Sequence, residues 1–196
     1  KSNSISEFYP FKQHKDNQWS LEHIHARHSN KLVNNKEAWL KWLTLHTQIL
    51  EEFDEQEAKQ LIDEINRYNN NQINWERFSG LFTKINDFFT EELQSVDQES
   101  EGLMNLALLS QPDNAALNNS VFEIKRREII RLDKDGHFIP ICTKRAFMKY
   151  YNESSLSEQN YFWSSDDRKL YFRALTESLS DYLPNATQIN EIEEYE

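Results

Sequence analysis

Glycine is nearly missing from this chain: three among 196 residues, standing singly at Gly80, Gly102 and Gly136. A G-x-G-x-x-G fingerprint or a G-K-[ST] phosphate loop needs clustered glycines, so most nicotinamide enzymes and P-loop NTPases are excluded. The one cysteine, Cys142, can form neither an internal disulfide nor a four-cysteine zinc site. No apolar run approaches the roughly 18 residues of a membrane span, and the N-terminal Lys1-Ser2-Asn3-Ser4 has no apolar signal core. These absences predict a protein of the reducing cytoplasm with no membrane partner. The chain opens on Lys1 rather than Met, which predicts a piece of something longer.

What the chain does have is bulk and charge. Five Trp, eight Tyr and twelve Phe supply enough apolar area for a real core, although mean hydropathy is −0.84. The net charge of −11 argues against indiscriminate nucleic-acid binding. It is unevenly spread. Residues 1–35 carry +2 and 121–150 carry +4, whereas 36–101 carry −9 and 151–196 carry −7. Two near-basic stretches that met in space would form a phosphate-facing surface. The plainer account is charged solvent faces on helices.

Hydrophobic spacing organises the chain. Trp19 to His25 alternates like a strand, with Trp19, Leu21, His23 and His25 on one side and Ser20, Glu22 and Ile24 on the other. Helical three- and four-residue steps predict amphipathic helices over 36–54, 58–68 and 75–96, with Trp39, Trp42 and Trp75 as core. Leu103–Leu109 predicts a buried strand ending in a turn at Gln111-Pro112-Asp113. A helix follows, with Ser120 and Glu123 as a capping box. Phe138–Cys142 predicts a short strand, Thr143–Tyr151 a helix, and Ser164 with Asp167 a capping box opening a last helix to about Leu183. The acidic tail is expected to fray.

Three of the six histidines, His23, His25 and His28, fall within six residues. They can be ordinary packed or surface imidazoles. They can also converge on zinc, although the spacing matches no familiar structural zinc pattern. A third reading is phosphodiester hydrolysis. An anionic diester repels hydroxide, so its hydrolysis needs charge neutralisation and an activated water. A hard cation on oxygen ligands supplies the first, and an imidazole titrating near pH 6.5 the second.

The stretch Trp19-Ser20-Leu21-Glu22-His23-Ile24-His25-Ala26 resembles the opening motif of the C-terminal HNH-like (His-Me finger) nuclease domain of GmrSD-type, modification-dependent restriction proteins of phage defence. Asn105-Leu106-Ala107-Leu108-Leu109-Ser110, then Asp113-Asn114, Leu117, Asn119, Phe122, Lys125 and Arg126, resembles its second half. Phe138-Ile139-Pro140, Lys149-Tyr150-Tyr151 and Phe162-Trp163-Ser164 resemble its continuation. Ala26, Arg27 and Met104 depart from the usual pattern without removing a catalytic group.

The resemblance implies an α+β fold: a ββα-metal core from 17–30 and 102–133, a helical insertion over 36–101, and a helical extension over 138–183, together one nuclease-like domain over 1–196. It implies His23 as general base, Glu22 and Asn114 as ligands of a divalent cation (Mg or Mn), and Asn105 as the tether of the long loop. His25 and Lys125 are implied to support, Lys125 facing phosphate. On a regular strand Glu22 and His23 point to opposite faces, so both reach one cation only if the strand end twists. Arg126, Arg127, Arg131, Lys144, Arg145 and Lys149 are the expected DNA-backbone contacts. The expected activity is endonucleolytic cleavage of modified DNA, with a nucleotide-dependent domain or subunit as partner. A non-catalytic module on the same fold is the alternative.

Overall fold

Trp19–His23 forms β1 and Leu106–Ser110 forms β2, paired antiparallel with Trp19 opposite Ser110 and His23 opposite Leu106. The computed structural model describes residues 11–16, 18–25, 35–68, 73–90, 102–117, 119–151 and 161–183. Helix α1 (Phe11–Asp16) precedes β1, and α2 (Lys36–Leu50), α3 (Gln56–Arg67) and α4 (Trp75–Phe88) separate the strands. After β2 come α5 (Gln111–Leu117), α6 (Phe122–Lys134), α7 (Ile141–Phe147) and α8 (Ser165–Ser178). The described residues thus form a helix-rich α+β fold with a small two-stranded sheet. None of their helices is long and apolar enough to cross a membrane.

Two cores hold it together. Helices α2, α3 and α4 bury Trp39, Trp42, Leu61, Phe78, Phe82 and Ile85. Trp39 stacks on Phe78 with centroids 5.3 Å apart, and Trp75 packs half-buried against the same cluster. Burying each such side chain contributes about 1.5–3 kcal/mol. Asn35 and Asn74 cap α2 and α4, accepting from Ala38 N at 3.0 Å and Arg77 N at 2.9 Å. The second core joins the hairpin to α6, α7 and α8 through Ile24, Leu109, Phe122, Ile129, Phe147 and Trp163.

A polar seam links the cores. The Trp42 indole donates to Asn119 O at 2.7 Å. His46, fully buried, bonds Trp42 O through Nδ1 at 2.7 Å and accepts from Val121 N through Nε2 at 3.3 Å. Only the neutral Nδ1–H tautomer satisfies both contacts.

Three local expectations are corrected. Gln111-Pro112-Asp113 is the first turn of α5 rather than a free turn, since proline, which has no N–H, is tolerated where the helix's N–H groups have no intrahelical acceptor. Phe138–Ile139 forms no strand. Pro140 caps α7 with its carbonyl, which accepts from Lys144 N at 3.0 Å. Val121, not Ser120, stands at the N-cap of α6, and the Glu123 carboxylate is engaged by Arg126 and Arg127 instead of closing a capping box. The box at Ser164 and Asp167 does form. The end of the third expected helix, 91–96, the Asn69-Asn70-Asn71 break and the acidic tail lie outside the described residues.

Candidate functional site

Strand alternation decides which way the first motif faces. In β1 the even residues carry the ladder bonds, as the flanking bonds Ile24 N to Asn105 O (2.8 Å) and Gln111 N to Gln18 O (2.9 Å) require. Ser20 and Glu22 turn their side chains inward. Trp19, Leu21 and His23 turn theirs outward, and Leu21 is 60% exposed. The same geometry aims the carbonyls of Leu21 and His23 at the open edge of β1. Two side chains cover that edge. Asn114 Nδ2 lies 2.7 Å from Ser20 Oγ and 3.4 Å from Leu21 O, and Lys125 Nζ lies 2.6 Å from His23 O.

Lys125 is the largest departure from expectation. Its ammonium is also 2.5 Å from Glu22 Oε1, and the two side chains are 0% and 5% exposed. A buried carboxylate needs a partner at close range, and α6 delivers one. Lys125 therefore faces Glu22 rather than phosphate. Glu22 in turn is engaged by an ammonium on the inner side of the strand, while His23 leaves by the outer side. As placed, Glu22, His23 and Asn114 do not fit one divalent cation, because the carboxylate such an ion takes is already neutralised. Among the described residues no group of three or more His, Cys, Asp or Glu is placed to hold a metal. His28, the third member of the zinc alternative, lies outside them.

Asn105, expected to tether the long loop, bonds the backbone just beyond β1. A single turn of 3-10 helix, Leu103–Asn105, leads into β2 and buries the Asn105 amide. Its Oδ1 accepts from His25 N at 2.9 Å and its Nδ2 donates to His25 O at 3.1 Å. Asn105 thus closes the backbone just past His23. Asn105→Ala is expected to cost about 2–3 kcal/mol in urea unfolding, from two lost bonds and two stranded backbone groups. Asn105→Asp, which keeps only the acceptor, should cost as much or more.

His25, expected on the same strand face as His23 in a supporting role, lies in the interior instead. β1 ends at His23, and the chain bends at Ile24 and His25. The His25 ring is buried, with Nε2 3.2 Å from Thr90 Oγ1, which itself donates to Asn86 O at 2.6 Å. Burial pushes the imidazole down to about 3, helped by the nearby charges of Lys125 and Arg168. It stays neutral and ties the insertion to the strand end.

The expected DNA contacts are mostly occupied. Arg126 and Arg127 share Glu123, and Arg127 reaches Glu52 at 2.7 Å. Arg131 bridges Glu128 and Asp135, and Lys144 bonds Asp133 at 2.6 Å. Lys149 is buried, bonded to Asp167 at 2.8 Å and set over the Phe122 ring, with a positive φ of 54°. That removes it from the surface. Arg145 is exposed and makes no ion pair with a described residue. The segment charge of +4 is real, but intrahelical acids and neighbours neutralise it locally.

One cluster escaped the sequence reading. Asp113, buried at the start of α5, accepts from Ser110 Oγ at 2.6 Å and meets His137 Nδ1 at 2.8 Å. The serine donates to the carboxylate, not to the imidazole, so nothing activates it as a nucleophile. Ser110 Oγ also accepts from Asp113 N at 3.3 Å. The signal was present as Ser-x-x-Asp, a capping pattern at the end of an apolar run.

No family model, curated protein or solved structure matches the chain.

Proposed function

We propose that the chain is a phosphodiester-hydrolysing DNA endonuclease domain with His23 as the general base. The observation that carries this reading is the strand–strand–helix unit around His23. β1 carries the imidazole to its outer face, the Asn105 clamp fixes the backbone beyond it, and Lys125 of α6 holds its carbonyl. A ring so anchored on a rigid strand can accept a proton from a water lined up on a phosphodiester. Asn105, Glu22 and Lys125 are its positioning residues, and Asn114 braces the open edge. We propose this unit as a ββα (His-Me finger) core. Mg²⁺ or Mn²⁺ is the proposed cofactor of such hydrolysis, with Glu22, engaged by Lys125, not assigned as its ligand. The wider setting, a cytoplasmic restriction protein of phage defence that cuts modified DNA together with a nucleotide-dependent domain or subunit, belongs to the same proposal.

A supercoiled-plasmid assay with Mg²⁺ or Mn²⁺ tests the reading. His23→Ala should lower nicking about 10²–10⁴-fold while leaving the melting temperature near wild type. Unchanged nicking in His23→Ala would dismiss His23 as the base. The second reading, a non-catalytic module on the same scaffold, is favoured by the buried Glu22–Lys125 pair. It predicts DNA or protein binding with no nicking by wild type in either metal.

A further inference from the structure

A cavity of about 750 Å³ lies between α2 and α6, away from the unit around His23, and its size is that of a small-molecule pocket. Helical spacing explains its walls. Ala38, Lys41, Leu45 and Ile49 follow at steps of three and four along α2, as Ile124, Arg127 and Arg131 do along α6. Ile49, Leu117 and Ser120 are buried and form the floor. Leu45 is half-buried and belongs to neither core, so its apolar surface is left to the cavity. Ser120 is 2% exposed, and its hydroxyl makes no hydrogen bond with a described residue. A buried hydroxyl calls for a partner, and the cavity is the side from which one can come.

The lining holds three cations, Lys41, Arg127 and Arg131, and two carboxylates, Glu37 and Glu128. That is a surplus of one positive charge in a chain of net −11. Arg127 and Arg131 are engaged by acids, whereas Lys41 is exposed and forms no ion pair with a described residue. We infer that the cavity binds a small amphipathic monoanion, an apolar body carrying one carboxylate. The body lies on Leu45, Ile49 and Leu117, and the carboxylate accepts from Lys41 at the rim and from the Ser120 hydroxyl below. A dianion would meet Glu37 and Glu128 with too little positive charge to offset them. Ser120 stands between Asn119, whose carbonyl accepts from the Trp42 indole, and Val121, whose N–H meets His46. The occupant therefore braces the seam between the two cores. The inference does not depend on His23.

The test is isothermal titration calorimetry of the whole chain with sodium octanoate, and with octylammonium as the same body under the opposite charge. Ser120→Ala should weaken octanoate about ten-fold, the loss of one hydrogen bond to a charged group. It should leave the urea midpoint of the free protein unchanged, because the hydroxyl gives up no partner. Lys41→Glu should weaken octanoate about five-fold or more and tighten octylammonium, a reversal of sign that lost packing cannot produce. Lys169→Glu, on α8 and outside the lining, should change octanoate affinity less than about two-fold. Saturating octanoate should raise the urea midpoint of wild type, since it binds the folded state alone. Wild type that does not bind octanoate would overturn the inference. So would binding that Ser120→Ala and Lys41→Glu both leave unchanged, which places the anion elsewhere. Equal wild-type affinity for octylammonium would overturn it too, by removing the charge argument. None of these outcomes touches the nuclease reading, which the plasmid assay judges separately.

Discussion

Lys125→Met is expected to destabilise the protein by about 3–5 kcal/mol, the most costly single substitution at the site. The reason is what it leaves behind. Glu22 stays in the interior beside Ala107 and the face of α6, with its 2.5 Å partner gone, and the carbonyl of His23 loses a donor at 2.6 Å. Glu22→Gln should cost a similar amount, because the ammonium is then the unpaired charge. The double variant Glu22→Gln/Lys125→Met removes both charges and is expected to be more stable than Lys125→Met alone. That sign is the signature of a coupled buried pair. Urea midpoints for the four proteins measure it. Costs that simply add would show that the two groups do not depend on one another. The same set examines the cation question. With Lys125 gone the Glu22 carboxylate loses its ammonium partner, so Mn²⁺ should raise the melting temperature of Lys125→Met more than that of wild type. A large Mn²⁺ stabilisation of wild type that Glu22→Gln abolishes would restore Glu22 as a metal ligand.

Much of the frame was legible because it depends on local periodicity. The 3.6-residue pattern of Trp39, Trp42, Leu61, Phe78 and Ile85 marks the insertion helices, and the period-two pattern from Trp19 marks β1. The alternation rule also warned that Glu22 and His23 part company across the strand. What could not be read was who meets whom over long separations. Glu22 and Lys125 are 103 positions apart, and nothing in a single sequence says that a helix lysine will turn inward to a buried acid. Charge counting failed for a related reason. Arg126, Arg127 and Arg131 count as +3, but Glu123, Glu128 and Asp135 on or at the end of the same helix stand at ion-pairing distance, so the surface potential is far weaker than the sum. Pro140 was misread because a proline at a short apolar stretch fits an edge strand and a helix cap equally well, and only the Lys144 N–H bond to its carbonyl separates them.

Acid is expected to unfold the protein well above the carboxylate range, and two histidines set the window. His25 and His46 are both buried and both pushed down to about 3, chiefly by burial. In the unfolded chain each returns to the ordinary imidazole value of 6.5. Between those limits the unfolded state binds more protons than the folded one, so stability rises with pH. The contribution is complete above pH 6.5 and is lost as pH falls towards 3. Two groups give a slope of about 2.7 kcal/mol per pH unit once both titrate in the unfolded chain. By pH 5 the loss is about 4 kcal/mol, a large share of the roughly 5–15 kcal/mol that holds a domain of ordinary stability. His46 has the sharper structural reason. Its Nε2 accepts the Val121 N–H that starts α6, and a proton placed there would turn an acceptor into a donor facing a donor. Urea unfolding at pH 8, 7, 6 and 5 should show a plateau to about pH 7 and then a steep fall. His46→Gln removes one titrating group at the cost of some packing, so its curve should start lower and fall with about half the slope. A wild-type stability that stays level from pH 7 to pH 5 would mean that the imidazoles are not sealed, and that the seam between the two cores admits water.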